Sequence, residues 1–203
     1  MALAIVMNRP TRLMAVLRAL FFLSQVLSVT VVTLIWQMIY SPRQGLIANL
    51  LDLIGLQPIE WVTDPALAMP SIVITTVWWS IGFAFVIFWA GLQQIPRELY
   101  ESARMDGAGH GAVLRHVIVP GLRRTTTFVV TMQIVLQFQV FGQSHLITGG
   151  GPSDETQVLV RYIYQTAFRD SELGYASALA IFLFALMLAF LLLWFWVRRE
   201  ADA

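Results

Sequence analysis

The chain has no cysteine and no lysine, and only 12% of its 203 residues are charged. Without cysteine there is no disulfide, thiol nucleophile or thiolate metal site, and the redox compartment cannot be read. The charged fraction is about half of the roughly one-quarter found in soluble domains, whereas hydrophobic residues reach 58%. The long apolar stretches contain no Asp, no Glu and no paired His, which removes the acid, base or metal cluster that an enzyme buried in a membrane needs. Nor is there a glycine loop ending in Gly-Lys-Ser/Thr, so any ATP that powers this protein is bound on another chain. Neither a metal nor a cofactor is expected, and the protein is not expected to be an enzyme.

What remains is apolar sequence in blocks. Charge-free windows cover residues 20–42, 65–96, 125–153 and 173–197, each at least as long as the ~20 residues that cross a bilayer as helix. The expected fold is all-α, a polytopic membrane bundle of four full spans, read as one domain over residues 1–203. The arginines set its orientation. Arg9, Arg12 and Arg18 precede the first window, Arg97, Arg104, Arg115, Arg123 and Arg124 lie between the second and third, and Arg198 and Arg199 follow the fourth. Only Arg43, Arg161 and Arg169 fall in the opposite loops, beside Asp52, Glu60, Asp64, Asp154, Glu155, Asp170 and Glu172. By the positive-inside rule both termini and the 97–124 segment are cytoplasmic. With arginine spread along membrane borders and a net charge of +1, nucleic acid is not an expected partner.

The segment between the second and third windows has its own structure. Pro96 suits a helix start, Glu98 and Glu101 complement the positive helix end, and 97–105 is rich in helix formers. Gly107 and Gly109 then break the run, and a second short helix over about 112–117 leaves at an angle. The expected product is a compact elbow over about 97–120. An ordinary juxtamembrane loop is the bland alternative.

Glu101, Ser102, Ala103, Gly107, Val117, Val119 and Pro120 stand at the spacing of the EAA loop, and the chain resembles the permeases of binding-protein-dependent ABC importers. Ser102 for Ala, and valines for Ile and Leu, are mild departures. Short phrases at 18–23, 88–93, 138–141, 148–152 and 173–178 are similar to the sugar-type group, related to the maltose and glycerol-phosphate permeases. The resemblance implies a type I ABC importer permease fold in a bacterial or archaeal cell (inner) membrane. Implied partners are a cytoplasmic ABC ATPase dimer, a second permease subunit, an extracytoplasmic solute-binding protein, a sugar-like solute and the lipid bilayer. It assigns ATPase coupling to Glu101, Ser102, Ala103, Asp106, Gly107, Ala108 and Pro120. It also implies a six-helix core, so residues 2–10 look like the end of a preceding helix and Met1 like an internal start. The apolar run 1–7 is too short for a signal peptide, and cleavage is not expected. A truncated, inactive or regulatory permease-like protein is the alternative function.

Three further features carry expectations. Gly149, Gly150, Gly151 and Pro152 read as a rigid helix stop at the outer end of the third window. Val158, Leu159, Tyr162, Ile163, Thr166 and Ala167 recur at helical spacing, with Gln157, Arg161, Gln165 and Arg169 on other faces. This amphipathic helix, with loop 41–64 containing Pro58, Ile59 and Trp61, is a candidate docking surface for the binding protein; resting on the membrane or on the partner permease is its ordinary role. Within the third window, Gln133, Gln137 and Ser144 fall near one helical face, Gln139 and Gln143 on the next, with Phe138 and Phe141 between. Amides and rings suit a neutral polyhydroxylated solute, so Gln133, Gln137, Phe138, Phe141 and Ser144 are candidates for its path; tying helices together is the equal alternative. His145 is expected to be structural, and Trp36, Trp61, Trp78, Trp79, Trp194 and Trp196 to be interface or packing aromatics. Gly142, Ala84 and Trp79 depart from the residues frequent in the group, which leaves the solute unnamed.

Overall fold

The computed structural model describes residues 1–8 and 11–200. Arg9 and Pro10, part of the N-terminal phrase and of the arginine count, lie outside the described residues, as do 201–203. In chain order the elements are α1 (Ala2–Val6), α2 (Arg12–Val26), α3 (Val29–Tyr40), α4 (Leu46–Leu53), α5 (Pro65–Gln93), α6 (Arg97–Met105), α7 (His110–Val113), a π-helical turn π1 (Leu114–Ile118), α8 (Val119–Gly121), α9 (Arg123–Phe138), a second π turn π2 (Ser144–Thr148), α10 (Leu159–Phe168) and α11 (Leu173–Glu200). No strand occurs among the described residues.

Two helices, α5 and Leu173–Arg199 within α11, are long and apolar enough to cross a membrane. A third span exists if α2 and α3, bent by 108° at their junction, are taken together. The 125–153 window differs from the sequence expectation: α9 stops at Phe138, and helix resumes at Gly142, leading into π2. At Gly142 a Cβ would sit 2.7 Å from Val29 Cγ2, so this residue approaches the start of α3 closely.

The helix starts are chemically specified. Thr11 Oγ1 accepts from the Met14 N–H (3.3 Å) at the start of α2, and Ser28 Oγ accepts from Val31 N–H at the start of α3. Asp64 caps α5 by accepting from Ala66 N–H at 2.8 Å, with Pro65 in first position where its missing N–H costs nothing. Inside the helices, hydroxyls of Ser71, Thr75, Thr76, Thr126 and Thr131 donate to carbonyls four residues back. Such bonding satisfies each hydroxyl on its own helix in apolar surroundings.

The contacts group into two compact units. The first comprises Met1–Val26 and Ser80–Gln133. Its core is Ala4, Met7, Phe85, Phe88, Leu92, Ile95, Leu122 and Val129. Ala84, a departure from the group's Asn, packs on that core. The N-terminal stretch is part of this unit: Ala4 is fully buried, Arg18 donates to the Met7 carbonyl at 2.7 Å and lies over the Trp89 ring, and Gln93 donates to Asn8. Gly82 lets α5 approach α2, since a Cβ there would fall 2.6 Å from Ser24 Oγ.

The second unit comprises Leu27–Trp79 and Ile134–Ala203. An aromatic series, Trp78–Trp36–Tyr40–Trp61, runs through it with ring separations of 5.1–5.8 Å. Tyr40, almost wholly buried, donates to the Ser71 carbonyl at 2.9 Å. Trp79 donates its indole N–H to the Leu27 carbonyl (3.2 Å), an acceptor that the bend between α2 and α3 leaves without a helical partner.

Candidate functional site

The elbow predicted for 97–120 forms, and its bend is closed by backbone alone. Helix α6 has Pro96 as its N-cap, Glu98 in its first turn and Arg104 in its last, the charge order that the helix dipole favours. At its C-terminus Gly107 takes φ +71. Gly107 N–H bonds the Arg104 carbonyl at 3.0 Å and Ala108 N–H bonds the Ala103 carbonyl at 2.9 Å. These two bonds are a Schellman motif, and glycine at C′ lets it form without the left-handed penalty of a side chain. Gly109 then caps α7, and the chain runs through π1 into α8.

The widened turn π1 ends two residues before Pro120, and Val119 N–H reaches back five residues to the Leu114 carbonyl. Pro120 has no N–H to give, and its ring needs clearance from the carbonyl four residues earlier, on His116. A π turn there answers both demands. The predicted second helix of 112–117 therefore exists as α7 plus π1, a little longer than expected.

Three side chains of the elbow, Tyr100, Val117 and Ile118, pack against the core of the first unit beside Ile95 and Leu122. Burial pushes the Tyr100 hydroxyl up from its usual pKa. The remaining surface faces outward. Glu101, Ser102, Asp106, Gly107 and Pro120 are exposed, and Ala103 and Ala108 half-buried. Met105 is 89% exposed and Leu99 49%. An anchored projection with an acid, an apolar face and small residues can be gripped by another protein; it offers no nucleophile–base pair. Among the described residues no group of three His, Cys, Asp or Glu is placed to hold a metal.

Residues 1–201 match the family described as binding-protein-dependent transport system inner membrane component. The chain belongs to that family. As such a permease it is 38% identical, over 174 residues, to the probable ABC transporter permease protein YurN of Bacillus subtilis, covering 85% of this chain and 60% of that protein. It is 30% identical, over 202 residues, to the sulfoquinovosyl glycerol transport system permease protein SmoG of Agrobacterium fabrum, covering 100% of this chain and 66% of that one. The chain thus spans about three-fifths to two-thirds of the length of these relatives. Its fold is shared by a bacterial ABC transporter involved in the import of the acidic polysaccharide alginate, with a TM-score of 0.88 at 23% identity over 98% of this chain and 71% of that one.

In this permease the five solute-path candidates do not lie on one continuous helix, because α9 ends at Phe138. In the first unit, Gln133 is half-buried and donates to the Ser80 carbonyl at 3.3 Å, a bond that ties α9 to α5. In the second unit, Gln137 is exposed on α9, and Phe138 meets Phe190 of α11 with ring centres 5.3 Å apart. Phe141 stacks on His145 at 4.8 Å and meets Tyr164 at 5.2 Å. Ser144 is fully buried and its hydroxyl donates to the Thr156 carbonyl. The shared face expected for Gln133, Gln137 and Ser144 is therefore corrected: the break after Phe138 separates Ser144 from the other two.

The predicted stop at 149–152 is present, with Gly149 at φ +62 and Gly150 at φ +87. Helix α10 contains seven of the ten residues named for the amphipathic helix, with Gln157, Val158 and Arg169 just outside its ends. Two residues hold this region in ways the sequence did not suggest: Thr156 was not singled out, and Arg161 was placed on a polar face. Thr156, fully buried, donates Oγ1 to the Gly151 carbonyl at 2.7 Å and lies 2.6 Å from Thr148 Oγ1. Arg161, expected on an outward polar face, is instead buried, with hydrogen bonds from its guanidinium to the Gly149 carbonyl and Gln157 Oε1. A lone arginine on an amphipathic helix reads as solvent-facing; the space that admits it comes from Gly150, whose missing side chain would otherwise meet the guanidinium.

Proposed function

We propose that this chain is a membrane-spanning subunit, one permease domain, of an ATP-driven importer that moves a sugar or sugar-like solute delivered by an extracytoplasmic binding protein. The elbow carries the reading. Its Schellman closure and its three packed anchors make it rigid, while Glu101, Ser102, Asp106 and Gly107 stay exposed for a cytoplasmic ABC ATPase dimer. Family membership supports that role, and the arginine distribution supports cytoplasmic placement of the elbow and both termini. A second permease subunit completes the pathway.

In this mechanism the chain performs no bond chemistry. Closure of the ATPase pair moves the elbow, and a cavity between the permeases alternates its access. The coupling requires that the ATPases contact the elbow differently in the two states, since a partner that binds both equally shifts nothing. Glu101 pairs with a basic residue of the ATPase, Gly107 sets the bend, and Ala103, Ala108 and Pro120 allow close fit. Gln137, Phe138 and Phe141 present an amide and rings to the solute, Gln133 positions α9, and Ser144 shapes the path through its hold on Thr156. Similarity to a permease of sulfoquinovosyl glycerol supports a polyhydroxylated solute.

The test is co-expression with the ATPase, second permease and binding protein encoded alongside it, followed by purification and uptake into proteoliposomes. Co-purification with the ATPase and ATP-dependent uptake of a sugar are expected. Failure to retain the ATPase overturns the reading, and retention without uptake favours a regulatory permease-like subunit.

A further inference from the structure

Arg161 is the sole charged side chain buried among the described residues, at 7% exposure. No carboxylate is among the hydrogen-bond partners of its guanidinium. Burying such a group is costly, and a well-packed apolar residue of similar volume is often at least as stabilising. What the guanidinium provides instead is a planar fork that reaches two acceptors at once. Here they are the Gly149 carbonyl, in the turn that follows π2, and Gln157 Oε1, just before α10.

The turn it grips is already organised from the other side. Thr156 donates to the Gly151 carbonyl, Ser144 donates to the Thr156 carbonyl, and Gly150 N–H bonds the Ser144 carbonyl at 3.2 Å. Ring contacts continue the connection inward, from Phe168 to Tyr164 at 5.2 Å and from Tyr164 to both Phe141 and His145. Every residue in this series belongs to the second unit.

We propose that Arg161 is a positioning residue that latches α10 to the turn 149–151, so that a binding protein pressing on α10 moves π2 and Phe141 with it. The latch makes the outer helix a lever on the solute path. This rests on the reading given under Proposed function, because the pressing partner is the binding protein of that reading.

The experiment uses the assembled complex. Because this chain has no cysteine, Glu155→Cys and Arg169→Cys, both at exposed positions, take a nitroxide pair across the latch. Arg161→Gln should broaden the distance distribution between the labels, and should cut ATP hydrolysis stimulated by the purified binding protein about tenfold while basal hydrolysis stays unchanged. Arg161→Lys keeps the charge but loses the fork, so it should fail in the same direction. Gln157→Leu, which removes one acceptor and leaves the arginine, should show an intermediate loss and guards against misfolding of the Arg161 variants. Unchanged label distances in Arg161→Gln, or Arg161→Lys behaving as wild type, overturns the latch. If the wild-type complex shows no stimulation by the binding protein, the functional reading falls, and the label distances still decide whether the latch exists.

Discussion

Two of the glycine turns in this chain, at Gly107 and at Gly149–Gly151, are held by opposite means. At Gly107 a Cβ would meet nothing within 4 Å, and the turn is closed by two backbone hydrogen bonds. At Gly149–Gly151 the turn is wrapped by Ser144, Thr148, Thr156 and Arg161 side chains. The first glycine is there for its dihedral angle; in the second turn Gly149 and Gly150 also take positive φ, and Gly150 in addition leaves room for Arg161. A turn closed by its own backbone keeps its surface bare for a partner. A turn closed by surrounding side chains gives that surface up and becomes part of a larger rigid body.

The contrast breaks most sharply at Gly107. Gly107→Pro removes the N–H that bonds Arg104 and forbids φ +71; a left-handed penalty and a lost bond together amount to about 2–3 kcal/mol. Uptake in proteoliposomes should fall about 100-fold, with membrane yield unchanged. Gly107→Asn, which tolerates the left-handed region, should retain most uptake, and equal loss in both would show that the angle is not what matters. Next is Glu101→Lys. That carboxylate is exposed, so thermal stability should move by less than about 0.5 kcal/mol, while ATPase retention on purification drops. A stability loss comparable with that of a core variant would mean that Glu101 serves the fold.

The opposite signature is expected at Thr156. Thr156→Val keeps the shape but abandons the Gly151 carbonyl and Thr148, a buried loss of about 1–3 kcal/mol. Thermal unfolding in detergent should show it, with the ATPase still bound; ATPase loss would blur the two turns into one. The smallest effect is Gly109→Ser. Gly109 caps α7 from an extended conformation, without a side-chain bond and with nothing near its Cβ position. A serine hydroxyl there should stabilise by about a few tenths of a kcal/mol, read as a slightly higher midpoint with uptake unchanged.

The same contrast explains what could be read in advance. The elbow was legible because its signals are local: Pro96 at a helix start, Glu98 in the first turn, Gly107 just past the last, all within about 24 residues of chain. Family resemblance then rested on the same positions. The latch at Arg161 was not legible, because its burial depends on a glycine eleven residues away and on a carbonyl twelve away. The close approach of Gly142 to α3 escaped for a similar reason. Hydropathy counts residues one at a time, whereas Gly142 answers to Val29, more than a hundred positions earlier. Trp79 also reads as one more interface aromatic until the Leu27 carbonyl, freed by the bend, is seen to need its indole N–H.

The π turn at Leu114–Ile118 has a consequence for everything after it. A helix advances about 100° per residue, so an extra residue accommodated in one wide turn sets the phase at which the next helix begins. Deleting a single residue from 114–118 would spare the composition and hydropathy of the loop, yet it would swing Gln133 about a quarter-revolution off the Ser80 carbonyl that it now addresses. Proline at 120 is thereby an angular reference, fixing from the base of α9 which of its stripes is turned toward α5.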